Sequence, residues 1–93
     1  MKAVLQGRVI AESGDVVEDG GYAYFPASTV SSALLEKSPK TDKDRACPHG
    51  VQFYDVVLDD VRHIRNAWVY ESPKPSKSSI GGRVGFWQDV KVE

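Results

Sequence analysis

The sequence predicts a mainly β domain of the α+β class, with one helix near residues 28–37 and a short C-terminal helix near residues 76–87. Two observations favour strands for the rest of the chain. Short segments rich in valine, tyrosine and phenylalanine recur along it, and these residues are typical of pleated, half-buried strands. Turn signals separate the segments, as in Gln-Gly at 6–7 and Asp-Gly-Gly at 19–21, because glycine reaches the positive φ that tight hairpins need.

Size and composition indicate one small globular domain over residues 1–93, with 41% hydrophobic and 27% charged residues. The formal net charge of −1 gives no general attraction to nucleic acid or to an anionic membrane. No apolar run approaches membrane-spanning length, and the polar start is unlike a signal peptide. One cysteine cannot form an internal disulfide, which favours a reducing compartment. We therefore expect a cytoplasmic protein that binds neither nucleic acid nor membrane.

The N-terminal part of the chain predicts two β-hairpins. Residues 2–12 place small and branched apolar residues on both sides of the first turn. A short strand at 16–18 follows, and Tyr22–Phe25 is its return strand after the Asp-Gly-Gly turn. Side chains alternate along a strand, so Tyr22 and Tyr24 share one face.

The helix predicted near residues 28–37 depends on spacing and on its two ends. Val30, Ala33 and Leu34 have the i, i+3, i+4 spacing of one helical face, and the serine or threonine at 28–29 can cap the start. A Ser-Pro pair at 38–39 ends it, because the residue before a proline disfavours the helical conformation. The mixed charges at 37–45 predict a solvated loop, with a phosphate-binding patch as the alternative.

Residues 46–58 predict a strand inside a sheet, together with its lead-in. Both faces of this strand carry apolar side chains, which is typical of a strand covered on both sides. Asp55 stands in one of the apolar rows and needs a hydrogen-bond partner if it is buried. After an Asp-Asp turn the chain returns to a strand at Ala67–Tyr70, where Trp68 and Tyr70 share a face.

The C-terminal segment contains two competing patterns. Ile80, Val84 and Trp87 fit a helical face, but the three glycines at 81–85 each cost about 1 kcal/mol relative to alanine in a helix. Ile80, Val84 and Phe86 suit a strand equally well. We favour the short helix, because a serine at 76 or 78 can cap it directly after the prolines. A last short strand is predicted at 90–92.

Five pieces of sequence stand in a fixed order along the chain: VIAES (9–13), YFP (24–26), CPHG (47–50) before FYDVV (53–57), AWVYESPKP (67–75) and IGGRVGFWQDVKVE (80–93). Together they resemble a bacterial family called domain of unknown function 427, sometimes labelled nucleotidyltransferase-like. The resemblance implies a β-tent, in which two antiparallel sheets meet at an angle with a pocket between them, and a helix over 76–87. The chain departs from the family pattern at His49, where an aromatic residue and a lysine are usual.

Cys47 and His49 are the candidate catalytic residues. In an extended segment residues i and i+2 point the same way, so this thiol and this imidazole can approach each other. A nearby charged histidine lowers a thiol pKa, which would prepare Cys47 as a nucleophile with His49 as the base. The alternative is a cysteine that packs as a small hydrophobic residue beside an exposed histidine.

The sequence predicts no metal and no cofactor. A structural zinc site needs four nitrogen or sulfur ligands, and the chain has one cysteine and two histidines at unsuitable spacing. Nucleotidyl transfer needs a metal-binding carboxylate pair, but the adjacent aspartates at 59–60 would point to opposite faces of a strand. No GxxxxGK[ST] phosphate loop is present either.

The aromatic residues form the other candidate site. Some of these rings must belong to the core, and a core-only role is the alternative. Rings that line a cleft bind flat or cationic small ligands, and related β-tent domains build aromatic cages for small cyclic ligands. We therefore predict a ligand-binding pocket formed by Tyr24, Cys47, Tyr54, Trp68 and Tyr70.

Three functions follow from these candidates. The first is a small cytoplasmic module that binds an unidentified small molecule in the aromatic pocket between the two sheets. The second is an enzyme that uses Cys47 and His49 in nucleophilic or acid–base chemistry. The third is an interaction module that forms a homodimer through an exposed apolar face or a sheet edge.

Overall fold

The computed structural model describes residues 1–93 as a chain of short strands with few helices. The strands are β1 (Lys2–Leu5), β2 (Arg8–Glu12), β3 (Val17–Asp19), β4 (Tyr22–Phe25), β5 (Leu35–Lys37), β6 (Val51–Leu58), β7 (Val61–Tyr70), β8 (Val84–Phe86) and β9 (Lys91–Val92). The helices are α1 (Asp42–Ala46) and the 3-10 helices Ala27–Thr29, Ser32–Leu34 and Pro75–Ile80. None of the helices has the length and apolar character needed to span a membrane.

The strands form two antiparallel sheets, which confirms the predicted fold class. The small sheet has the order β2-β1-β9, and the large sheet has the order β3-β4-β8-β7-β6-β5. Strands β6 and β7 form the longest hairpin, and both residues of its two-residue turn have positive φ, at 51° for Asp59 and 65° for Asp60. Turns of this kind match the right-handed twist of the strands they join.

One face of the large sheet, the inner face, packs against the small sheet. Alternate residues of β4, β6, β7 and β8 point to this side because side chains alternate along a strand. They share one continuous hydrophobic core with the small sheet. Its buried members are Ala3, Leu5, Ile10, Ala11, Phe25, Val30, Val56, Leu58, Ala67, Val84, Phe86 and Val90.

The other face of the large sheet, the aromatic face, carries a second cluster. In the strand register Trp68 lies opposite Phe53 on one side and Gly85 on the other, and Gly85 lies opposite Tyr24. Residues opposite each other across a sheet share a face, so these rings stand together. The 3-10 helix Pro75–Ile80 covers part of this cluster through the fully buried Ile80.

The prediction of a helix near residues 28–37 is wrong. Two 3-10 helices occupy its first part, and strand β5 occupies its end. Val30 is extended, with φ −100° and ψ 137°, and makes a bridge to Ala11 of the small sheet, while Leu35 pairs with Val56 of β6. Pairing with two distant strands outweighs the weak helical preference of this serine-rich segment.

The α-helix predicted near residues 76–87 is replaced by a 3-10 helix and a strand. The 3-10 helix ends at Ile80, and β8 then pairs with β4 on one side and β7 on the other. These hydrogen bonds favour the alternating pattern of Val84 and Phe86 over the helical one. The glycines allow the change of direction, since Gly82 has a φ of 72°.

The mixed-charge segment at 37–45 is more ordered than the predicted solvated loop. Thr41 and Asp44 form a capping box that starts α1, with the Asp44 N–H donating to Thr41 Oγ1 at 3.2 Å. The Asp44 side chain is buried and accepts both hydrogen bonds of the Arg65 guanidinium. Opposite charges here join α1 to β7 instead of facing solvent.

Candidate ligand-binding site

A hollow of about 160 Å³ opens on the aromatic face. We call it the aromatic hollow. Its six lining residues are all hydrophobic and come from three strands and the segment after β8: Tyr22, Val51, Phe53, Trp68, Tyr70 and Trp87. The volume equals that of roughly five water molecules at about 30 Å³ each, so it suits a single ring or a small head group.

Strand pairing positions the floor of the aromatic hollow. Val51 lies opposite Tyr70, and Phe53 lies opposite Trp68, so β6 and β7 contribute two pairs of side chains to one side. On the next strand Gly85 leaves room for the indole of Trp68. A Cβ atom at Gly85 would stand only 2.7 Å from two carbons of that ring and 3.0 Å from a ring carbon of Tyr24.

Three rings form walls of different orientation. The planes of Tyr22 and Trp68 lie at 89° with their centroids 5.0 Å apart, and those of Tyr22 and Trp87 lie at 81° and 6.4 Å. Trp68 and Trp87 make an angle of 72° at 5.5 Å. Edge-to-face contacts of this kind are favourable, because the positive edge of one ring meets the negative face of the next. The hollow is therefore bounded by three nearly perpendicular planes.

Arg65 supports the edge of the aromatic hollow from outside. Its backbone has a φ of 57°, and its carbonyl oxygen accepts a hydrogen bond from Trp87 Nε1 at 2.5 Å. Its guanidinium lies 3.9 Å from the centroid of the Phe53 ring and donates two hydrogen bonds of 2.9 Å to Asp44. These hydrogen bonds hold the pKa of the Asp44 carboxyl well below its usual range, although burial opposes them.

Asp55 holds the backbone of Arg65 in place at this edge of the aromatic hollow. It is buried, and it accepts hydrogen bonds from Ser38 Oγ at 2.5 Å, Arg62 Nη1 at 2.7 Å and the Arg65 N–H at 3.0 Å. Burial acts to raise the pKa of this carboxyl, but the three hydrogen bonds outweigh it and lower the pKa. The expectation that a buried Asp55 needs partners is met.

The profile of the family described as Domain of unknown function (DUF427) matches the chain over residues 1–93. The chain belongs to this family. The predicted family resemblance is thereby confirmed. No curated protein matches the chain.

The predicted pocket residues of this DUF427 domain do not all come together. Trp68 and Tyr70 line the aromatic hollow, whereas Cys47 packs against the same cluster without lining it. Tyr24 is buried behind Trp68, with ring centroids 5.9 Å apart, and burial raises its pKa to about 12. Tyr54 lies on the inner side of the sheet, where it lines a separate groove of about 280 Å³.

Four lining residues lie outside the predicted pocket, namely Tyr22, Val51, Phe53 and Trp87. The sequence alone could have identified two of them, Val51 and Phe53, from the length of the β6–β7 turn. The Asp-Asp turn has two residues, so even-numbered residues of one strand lie opposite odd-numbered residues of the other. Trp68 must then face the row of Val51 and Phe53, and not the row of Tyr54.

Cys47 and His49 are separated by a turn and not aligned along a strand, so the expectation of an extended segment is wrong. The Gly50 N–H donates to the Cys47 carbonyl oxygen at 3.3 Å and closes the turn. His49 Nδ1 accepts from the Lys74 N–H at 3.0 Å, and its ring packs edge-on to Tyr70. No hydrogen bond joins Cys47 to His49.

The largest cavity lies between the two sheets, where the resemblance implies a pocket. This inter-sheet cleft has a volume of about 510 Å³. The turn at Gly20 and Gly21, the β3 carboxylates and residues of both sheets line it, and Tyr22 belongs to both this cleft and the aromatic hollow. The cleft contains two rings and the hollow five, so the hollow is the stronger candidate site.

Metal-ligating side chains are dispersed over the fold. No three histidine, cysteine, aspartate or glutamate residues are grouped so as to hold a metal ion. His63 is buried at the end of the β6–β7 hairpin, with Nδ1 2.9 Å from Asp89 Oδ2 and Nε2 without a hydrogen-bond partner. It is separate from the aromatic hollow.

Proposed function

We propose that this DUF427 domain is a small-molecule binding module whose site is the aromatic hollow. The single observation that carries the proposal is the convergence of five aromatic rings on one accessible space. In a hydrophobic core aromatic rings pack closely and fill the space between them, whereas these rings leave about 160 Å³ open. We further propose that the protein works in the bacterial cytoplasm, because its one cysteine suits a reducing compartment.

The size of the aromatic hollow limits the ligand. Pockets for drug-sized molecules measure about 300–1,000 Å³, and this hollow has about 160 Å³. It therefore accommodates one ring or head group, while the rest of the molecule stays outside. Filling the hollow removes apolar surface from water on both partners, at roughly 25 cal/mol for each Å² buried.

A thermal-shift screen of small cyclic and cationic metabolites tests the proposal. A ligand at about 100 times its Kd adds roughly 2.7 kcal/mol to the free energy of unfolding. We compare the wild type with Tyr70→Ala, which removes a ring that lines the hollow and not the inter-sheet cleft, and with Tyr54→Ala, which removes the same side chain from the opposite face. Each protein's shift is measured against its own unliganded Tm.

The expected result is a hit that stabilises the wild type and Tyr54→Ala but not Tyr70→Ala. Hits that stabilise all three proteins equally would place the ligand elsewhere. A broad screen without any hit would leave the rings with a packing role only, and the proposal would then be abandoned.

A further inference from the structure

We infer that the aromatic hollow takes the quaternary ammonium head group of a small molecule, an inference that rests on the proposed function. The shape of the hollow is the first reason. A flat ligand ring can stack on one wall only, because the planes of Tyr22, Trp68 and Trp87 lie at 72–89° to one another. A compact, nearly spherical group can contact all three walls at once.

The electrostatics of the walls give the second reason. Each ring carries partial negative charge on its face, so a cation held between these rings is attracted wherever it meets one of their faces. A positive group already uses this ring system, since the Arg65 guanidinium lies 3.9 Å from the Phe53 centroid. The remaining rings offer faces that no side-chain cation occupies.

The charges around the hollow do not oppose a cationic ligand. No charged side chain lines the hollow itself. The nearby Arg65 is neutralised by its two hydrogen bonds to Asp44, and Lys77 is paired with Asp19 at 2.9 Å. Asp19 lies directly opposite Tyr22 in the β3–β4 register, so this ion pair adds no net positive charge beside the wall that Tyr22 forms.

The apolar lining discriminates among ammonium ions. A primary ammonium group has three N–H donors, and burying them without acceptors carries a large desolvation cost. A trimethylammonium group has no N–H donor and presents methyl groups to the rings. The six hydrophobic lining residues therefore favour the fully methylated cation over the primary one.

Three probes separate these contributions: choline, its uncharged isostere of the same size, 3,3-dimethylbutan-1-ol, and the smaller primary amine ethanolamine. Their dissociation constants are measured from the indole N–H signals of the two tryptophans by NMR at constant ionic strength. Cation–π attraction in a desolvated site makes choline bind about tenfold more tightly than its isostere. Ethanolamine should bind more weakly than choline by a similar factor.

Two variants identify the contact. Tyr22→Leu keeps an apolar side chain but removes the ring face, so choline should lose several-fold in affinity while the isostere changes little. Tyr54→Phe, on the inner side, should leave both affinities unchanged. Tyr22 is 40% exposed, so its replacement should not prevent folding.

The outcomes distinguish this inference from the proposed function. Equal affinity for choline and its isostere, or a hit from the metabolite screen that is uncharged while choline does not bind, would overturn the ammonium assignment and leave the binding module standing. If neither these probes nor any screened compound perturbs the indole signals, both proposals fail.

Discussion

The two faces of the large sheet are built from the same strands but are closed in different ways. On the inner face a second sheet supplies the cover, and small branched side chains pack around Phe25 and Phe86 beside the inter-sheet cleft. On the aromatic face no sheet provides cover: the 3-10 helix Pro75–Ile80 and the turn at Cys47–Gly50 cover part of it, and large rings pack against one another over the rest. The difference shows that a sheet face without a full covering layer can be packed by edge-to-face rings and still retain an open space.

Support for the two faces also differs. The inner face depends chiefly on apolar burial, whereas the aromatic face is bordered by buried carboxylates and their arginine partners, Asp44 with Arg65 and Asp55 with Arg62. Substitutions on the inner face should therefore cost stability through lost volume. Substitutions at the border of the aromatic face should cost stability in a way that depends on pH.

The largest expected contrast is between two rings of the same strand. Phe25 is fully buried on the inner face, so Phe25→Ala should lower the free energy of unfolding by about 3–5 kcal/mol. Tyr22 is 40% exposed and makes two edge-to-face contacts, so Tyr22→Ala should cost less than about 1.5 kcal/mol. Urea unfolding with unchanged m-values measures both. Similar costs would mean that the aromatic face is as closed as the inner core.

The next effect concerns the border of the aromatic face. Asp44→Asn should cost about 1.5–3 kcal/mol at neutral pH, because it removes a carboxylate that accepts two hydrogen bonds from Arg65. The control Asp42→Asn changes a fully exposed carboxylate of the same helix and should cost within about 0.5 kcal/mol.

The pH dependence of this pair has a definite sign. The pKa of Asp44 is lowered on folding, so its stabilisation is complete above the usual carboxyl value of about 4 and is lost as the pH falls further. The difference between wild type and Asp44→Asn should therefore shrink below pH about 4. A constant difference across the acid range would contradict a charged contact.

A smaller effect tests the packing behind the hollow. Gly85→Ala should cost about 1–3 kcal/mol and change the fluorescence of Trp68, because the added methyl group would stand 2.7 Å from its ring. Gly14→Ala is the matched control, since nothing lies within 4 Å of the added atom and its φ is not positive. If both variants are equally stable, the Trp68 ring can shift without loss.

The effect that is smallest at neutral pH is that of Tyr24, which appears only in alkali. Burial raises the pKa of Tyr24 to about 12, so the folded state keeps this proton more firmly than the unfolded state, where the usual value is about 10. The wild type should lose stability as the pH rises from 10 to 12. Tyr24→Phe should remove part of that loss and change little at pH 7. Parallel pH profiles for the two proteins would exclude this contribution from Tyr24.

Local pattern was sufficient for much of the fold. The hairpin turns at 6–7 and 59–60, the strand at Val51–Leu58 and the shared face of Trp68 and Tyr70 follow from residue type and alternation. Asp55 could be singled out because one carboxylate interrupted an apolar row. These features depend on neighbours close in sequence, which a single chain displays directly.

The remaining features depend on distant partners. Local spacing predicts a helix over residues 28–37, but the pairing of Val30 with β2 and of Leu35 with β6 produces extended structure instead. The pairing of Asp44 with Arg65 joins residues 21 positions apart, so mixed charge alone could not reveal it. The candidate site was predicted in part, because ring content indicates a cluster but the face of each ring depends on strand register, as Tyr54 illustrates.

Tyr22 stands where the aromatic hollow and the inter-sheet cleft meet, and its ring belongs to both walls. A change of its χ1 rotamer would enlarge one space at the expense of the other. If both cavities hold ligands, an occupant that requires one Tyr22 rotamer would change the affinity of the other cavity, and by the same factor in both directions.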